Sequence, residues 1–261
     1  MFFDMSSYKL NLLSTVSVFT IVLIFILRPS FCLATDLNLP PSELEEAEEL
    51  ARSIEPVDLR EYVLYQMALG YAANEVWAPA ERIAQGLSTG EWAHDDAFRV
   101  LAAWRAERHN ITEALRLRSY IGSQPAFTWV VGVIVNNQAK SQGVPAALQT
   151  ALSFPEGPDR ARSLLGLTWA QIDAKDFSGA VKTAQIIPIV KMEGLDLSKE
   201  PLLSIIIDHQ LNHGSYEEAR RTADLYPEAD GREAAHRRVR VSQLQHGEIA
   251  DDPPPISWTP G

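Results

Sequence analysis

The stretch that decides the fold is Ala180-Val181-Lys182-Thr183-Ala184-Gln185-Ile186-Ile187. Its two alanines are four residues apart and its last isoleucine comes three residues later, so the three side chains share one face of a helix. Six stretches of this kind begin at what we call the anchor alanines: Ala47, Ala80, Ala114, Ala147, Ala180 and Ala219. Successive anchors are 33, 34, 33, 33 and 39 residues apart. A repeat of 33 or 34 residues predicts stacked helical hairpins.

The residues around each anchor predict how its hairpin is built. A large apolar residue stands seven positions after every anchor. Four positions after the anchor stands an alanine, except at Arg118. Another apolar pair precedes each of the five later anchors by sixteen and thirteen positions, as Phe98 and Leu101 precede Ala114. Residue types that cap helices separate the two stripes in the later repeats: Asn110, Gly143, Asp176 and Ser215. Each repeat is therefore predicted to contain a first helix, a capped turn and a second helix.

The period, the central alanine and the phrase Gly214-Ser215-Tyr216-Glu217-Glu218-Ala219 resemble the tetratricopeptide-like (TPR-like) helical repeat superfamily over residues 42–245. The chain is similar to a divergent, alanine-rich bacterial variety, because the small and large positions after the anchor are exchanged relative to the family. The resemblance implies an all-α fold, an α-solenoid of about five helical hairpins wound as a right-handed superhelix. A last helix, residues 232–245, is expected to close the array.

The resemblance also implies a binding surface. Tetratricopeptide arrays generally bind peptides or proteins in a concave groove lined by their first helices. Carried over position by position, it implies these groove residues: Tyr62, Tyr65, Arg99, Trp129, Asn136, Arg162, Trp169 and Asp208. Two alternatives stay open. Trp129 and Trp169 suit a core equally well, and the charged residues Arg99, Arg162 and Asp208 are typical of a solvated face.

The N-terminal segment predicts export. Residues 10–27 form an apolar block between Lys9 and Cys32-Leu33-Ala34, which is typical of a signal peptide cleaved after Ala34. An uncleaved membrane anchor is the alternative, because 18 residues almost suffice to span a bilayer. We therefore expect three parts: a signal peptide or anchor (1–34), a TPR-like solenoid (35–248) and a Pro-rich, disordered tail (249–261). The predicted location is periplasmic or secreted, or anchored with the solenoid outside the cytoplasm.

Charge and composition predict the class of partner. The formal net charge is −11 and no basic stripe is present, so nucleic acid is not expected to bind. A protein or peptide partner, basic in character, fits such an acidic surface. A membrane is expected to be contacted only through an uncleaved N-terminal segment. The single cysteine, Cys32, lies in the segment expected to be removed.

Motifs for catalysis and cofactors are scarce. The sequence contains no nucleophile elbow, phosphate-binding glycine loop or dinucleotide fingerprint, so a non-enzymatic protein without a cofactor is predicted. His209 and His213 are four residues apart and could share a metal on one helix face. No third ligand is identifiable, and Gln210 stands where a zinc protease has glutamate. Two polar residues near a helix end are the simpler interpretation.

These features together predict an exported interaction scaffold, or a chaperone or assembly factor, that holds an extended peptide or partner protein in its groove. The alternative is an envelope protein that binds a small molecule or glycan, or that belongs to a cell-wall hydrolase system. Both hypotheses depend on the signal segment and on the repeat.

Overall fold

A computed structural model of the chain describes residues 41–89, 92–122, 129–188, 190–192, 195–197 and 199–248, with the side chains of 41–44 and 190–199 excepted. The described residues are almost entirely helical. Within them, no helix is both long enough and apolar enough to cross a membrane. The predicted signal segment with its cleavage site, and the predicted tail, lie outside the described residues.

The chain divides into two compact units, with the boundary between Val130 and Val131. Consecutive helices of the first unit pack against each other, and α2 also contacts α4. The described part of the first unit contains five whole helices: α1 (Pro41–Arg52), α2 (Val57–Ala73), α3 (Trp77–Gln85), α4 (Trp92–Glu107) and α5 (Ile111–Arg118). The sixth helix, α6 (Trp129–Gln142), begins with the last two residues of this unit.

The second unit repeats the pattern of paired helices. Its elements after α6 are α7 (Val144–Ser153), α8 (Pro158–Asp173), α9 (Phe177–Gln185), β1 (Val190–Met192), β2 (Leu195–Leu197), α10 (Lys199–Asn212), α11 (Tyr216–Ala223) and α12 (Ala229–Gln245). Each helix from α7 onward packs against the next one in the chain. The packing of the twelve described helices is compatible with a helical repeat fold.

The anchor alanines lie at the most tightly packed positions of these helices. All six are completely buried. The apolar pairs of the first helices are buried too, including Phe98 and Leu101 in α4 and Leu164 and Leu167 in α8. A methyl side chain at the anchor lets the neighbouring helix approach closely, while the larger residues fill the space on either side. The predicted helical register is therefore confirmed by the burial of its members.

The predicted caps hold in part. The Asn110 side chain accepts a hydrogen bond from the Glu113 backbone N–H, and the Asp176 side chain accepts one from the Gly179 N–H at 2.9 Å. Ser215 occupies the N-cap position of α11, but its side chain makes no capping hydrogen bond. The side-chain cap predicted at Ser215 is therefore wrong.

The fold is all-α, and a short β-hairpin interrupts its helices. Strands β1 and β2 pair antiparallel, with Val190 opposite Leu197 and Met192 opposite Leu195. They lie within the 39-residue step before Ala219, whereas the other steps between anchors are 33 or 34 residues long. The alternation of apolar residues on either side of Gly194 is the sequence signal that predicts such a hairpin. The insertion therefore carries its own local structure.

Two glycines let α6 and α8 cross at very short distance. A Cβ atom on Gly132 would lie 2.9 Å from the carbonyl oxygen of Arg162, and one on Gly166 would overlap the carbonyl of Gly132. The amide nitrogen of Asn136 donates a hydrogen bond to the Gly166 carbonyl oxygen across this crossing, at 3.1 Å. Only glycine permits such close backbone contact between two helices.

Candidate functional site

The candidate site is a connected group of side chains in the first unit, which we call the aromatic–arginine cluster: Tyr65, Trp92, Asp96, Arg99 and Trp129. Tyr65 lies on α2, Trp129 begins α6, and the other three lie on α4 at spacings of four and three residues. Those spacings place Trp92, Asp96 and Arg99 on one face of α4. The packing of α2 against α4 brings Tyr65 to that face.

Asp96 is the centre of the cluster. The Tyr65 hydroxyl donates a hydrogen bond to Asp96 Oδ2 at 2.6 Å, and Arg99 Nε donates one to Asp96 Oδ1 at 2.5 Å. The side chains of Asp96 and Arg99 are each only 19% exposed, so their ion pair is partly shielded from water. Hydrogen bonds to a charged group in such surroundings are stronger than neutral ones. Asp96 therefore fixes the positions of both neighbours.

Two aromatic contacts extend the cluster outward. The rings of Tyr65 and Trp92 meet edge to face with centroids 5.2 Å apart, and the Arg99 guanidinium lies 4.8 Å from the centre of the Trp129 ring. A continuous chain of contacts thus joins the two tryptophans. Trp92 nevertheless stays 53% exposed. The cluster can therefore offer a large apolar ring, held in place, to a ligand.

The environment of Tyr65 keeps its phenol protonated. Burial raises the pKa of Tyr65 well above its ordinary value, and the hydrogen bond to the Asp96 carboxylate raises it further. A neutral phenol is required, because the hydroxyl must keep its proton to donate a hydrogen bond to Asp96. The bridge from α2 to α4 is consequently intact throughout the neutral pH range.

We expect the stabilisation that this hydrogen bond provides to be lost at alkaline pH. The folded-state pKa of Tyr65 is raised above the unfolded value of about 10. Its contribution is therefore present below about pH 10 and is lost as the pH rises towards the folded-state pKa. Between about pH 9 and about pH 11, the free energy of unfolding measured in urea should fall less for Tyr65→Phe than for the wild type. An equal loss in both proteins would contradict this role of Tyr65.

The first unit contains four of the groove residues predicted from the sequence, and three of them meet in the cluster. Tyr65, Arg99 and Trp129 belong to the cluster, and Tyr62 lies one turn before Tyr65 on α2, half-buried. The interpretation of Arg99 as a solvated charge is wrong, because Arg99 is ion-paired and stacked on a ring. Trp92 was missed because it precedes the positions carried over from the family. Its spacing of four from Asp96 is the signal that points to it.

Three predicted groove residues lie in the second unit on α6 and α8. The Asn136 amide is engaged at the helix crossing. Burial lowers the pKa of Arg162, and its Nε has no hydrogen-bond partner among the described residues. Trp169 is 36% exposed, and its ring meets His209 edge to face at 6.0 Å. These side chains form no network comparable to the aromatic–arginine cluster within the described residues.

Asp208, the last predicted groove residue, is not a free solvated charge. It forms an ion pair with Arg238 of α12. Arg238 also donates a hydrogen bond to the Ser204 hydroxyl at 2.8 Å. Asp208 and Ser204 stand four residues apart on α10, so Arg238 ties α12 to that helix. The Asp208 side chain is nevertheless 50% exposed, so this ion pair lies on a solvated face, as the alternative interpretation expects.

The two histidines of the weak metal hypothesis each contact an aromatic ring. His209 meets Trp169, and His213 lies with its ring centre 5.8 Å from that of Phe177. Nowhere in the described part of the chain do three or more His, Cys, Asp or Glu side chains group as metal ligands would. Their contacts are accounted for by aromatic packing.

Comparisons of this chain with protein-family models, with curated proteins and with solved structures found no match. The tetratricopeptide resemblance therefore depends on the repeat phrases and on the packing of the helices. What the candidate site can do follows from its own contacts and exposure.

Proposed function

We propose that the chain is a non-enzymatic interaction protein that binds an extended peptide segment of a partner protein across the aromatic–arginine cluster. With its predicted signal segment, it would act outside the cytoplasm as a scaffold, chaperone or assembly factor. The tetratricopeptide resemblance supports the peptide as ligand, because the cluster lies on the first helices that line the groove in that family.

One observation carries the proposal. Trp92 exposes half of its surface although a chain of contacts through Tyr65 and Asp96 holds it in place. Leaving a large apolar ring in water is unfavourable, so a protein gains by covering it. Tryptophan, tyrosine and arginine also dominate the binding energy of protein interfaces. A ring that is already ordered loses less entropy when it binds.

The cluster also suggests which peptide chemistry it recognises. Asp96 and Arg99 neutralise each other and are mostly buried, so they present no unpaired charge to a ligand. An apolar or aromatic side chain against Trp92 would therefore supply most of the affinity. The acidic surface of the chain, with a net charge of −11, would favour basic flanking residues chiefly through faster association.

Replacing Trp92 tests the proposal. A displayed library of random peptides is selected against the wild-type protein, and the affinity of the selected peptides is measured by fluorescence anisotropy. Trp92→Ala should weaken them by about 30-fold, corresponding to the loss of one hot-spot residue. Trp169→Ala removes an equally large, exposed ring from the second unit and is the matched control.

The control should stay within about threefold of the wild type, since Trp169 is not a member of the cluster and its ring packs on His209 of α10. Circular dichroism would establish that both variants keep their helices. Selection of no apolar peptide, or unchanged affinity in Trp92→Ala, would overturn the proposed function.

A further inference from the structure

A groove of about 320 Å³ lies in the second unit between α9 and α11. We call it the α9/α11 groove. Its main lining residues are Phe177, Val181, Lys182, Gln210, Arg221 and Leu225. Apolar side chains form part of its walls, and two cationic side chains, Lys182 and Arg221, also line it. Its size is within the range of ligand sites in proteins.

The two cations occupy a repeat position that is ion-paired in the first unit. There, two of the three anchors are followed two positions later by an arginine, Arg82 after Ala80 and Arg116 after Ala114. Arg82 Nη1 lies 2.8 Å from Glu48 Oε1, and Arg116 pairs with Glu81. Both glutamates stand one position after the preceding anchor. In the first unit, each second helix is thus linked to the next by a glutamate–arginine pair.

The corresponding cations of the second unit lack these partners. Lys182 and Arg221 stand two positions after Ala180 and Ala219, but the glutamate positions are taken by Leu148 and Val181. No described carboxylate lies within ion-pair distance of Lys182 or Arg221, although both are exposed. The groove therefore holds two positive charges that the fold does not neutralise.

The floor of the groove has an unsatisfied acceptor. Gln210 is 1% exposed, and its Oε1 atom has no hydrogen-bond partner among the described residues. A buried carbonyl oxygen without a donor is destabilising, because it has given up its hydrogen bonds to water without replacing them. A ligand N–H would remove that cost. Glu218 also lines the groove, so a ligand carboxylate would lie on the Lys182 and Arg221 side.

From these features we infer that the α9/α11 groove binds an acidic peptide segment of a partner protein. A carboxylate of the peptide lies between Lys182 and Arg221, a backbone N–H meets Gln210 Oε1, and an apolar side chain packs on Phe177 and Leu225. The charge of the groove favours this occupant, since its two cations face only one anion. The inference is independent of the proposed function, because it concerns other helices and other residues.

Isothermal titration of the full chain with the probe peptide acetyl-Leu-Asp-Leu-Asp-Leu-amide tests the inference. The isosteric peptide with Asn in place of Asp is the charge control and should bind at least about tenfold more weakly. Lys182→Gln with Arg221→Gln should reduce the affinity for the Asp peptide at least about tenfold. Arg237→Gln with Arg240→Gln removes the same charge from the exposed face of α12 and should change it less than about twofold.

A third variant copies the glutamate–arginine pair that links successive second helices in the first unit. Val181→Glu places a carboxylate at the repeat position that Glu81 holds, so Arg221 would be neutralised from within and peptide binding should be lost. Equal binding of the Asp and Asn peptides, or an equal effect of the groove and control double variants, would overturn the inference. So would peptide binding that appears only after deletion of residues 249–261, or concentration-dependent dimerisation that the groove variant abolishes. Those two results would assign the groove to the chain's own tail or to a second copy.

Discussion

Gly166→Ala is expected to lower the free energy of unfolding by about 3 kcal/mol. An alanine in the middle of a helix ordinarily stabilises it relative to glycine by roughly 0.5–1 kcal/mol. Here the added Cβ would overlap the Gly132 carbonyl, which is backbone and cannot rotate away. The helices α6 and α8 would have to move apart, which would also break the hydrogen bond from Asn136. Urea unfolding followed by circular dichroism measures the effect.

Gly86→Ala is the matched control for that variant. Gly86 has ordinary helical dihedral angles, and its Cβ would lie 3.3 Å from the Ile83 carbonyl oxygen and 3.4 Å from the end of the flexible Arg52 side chain. We expect this substitution to be neutral or slightly stabilising. Stabilisation by Gly166→Ala similar to that by Gly86→Ala would show that α6 and α8 do not cross as closely as described.

Phe98→Ala is expected to destabilise the first unit by about 3–5 kcal/mol. The ring is completely buried, is stacked on Tyr120 with centroids 4.7 Å apart, and lies 5.0 Å from His94. Its removal leaves a cavity against α4, the helix that carries three members of the aromatic–arginine cluster. Urea unfolding of the full chain measures this loss.

Phe98→Leu separates the cavity from the chemistry of the ring. Leucine retains most of the buried volume and should cost less than about 2 kcal/mol. Similar, small losses for both substitutions would show that position 98 is not the packed core position that the repeat predicts.

The core could be predicted from the sequence because it depends on a local rule. Burial of Ala114 and Phe98 follows from spacings of three and four residues along single helices, which any stable arrangement of these helices must respect. The anchor positions and the ends of the helices were therefore accessible to sequence reasoning. The hairpin of β1 and β2 was missed because its signal is the period-two alternation on either side of Gly194 and not the helical period.

The candidate site depended on contacts between repeats, which the period does not specify. Asp96 meets Tyr65 across 31 residues of sequence, and only the packing of α2 against α4 decides that they touch. The crossing of Gly132 and Gly166 likewise depends on the distance between two helices. Lys182 became informative only after the ion pairs of the first unit showed what its repeat position normally holds.

Peptide binding at the aromatic–arginine cluster is tested most directly by recording the indole N–H signals of the six tryptophans in a ¹H–¹⁵N spectrum while a selected peptide is added. We expect the signals of Trp92 and Trp129 to shift as the peptide saturates the protein, while that of Trp169 stays in place. A shift at Trp169 without one at Trp92, or saturation with no indole shift, would contradict it.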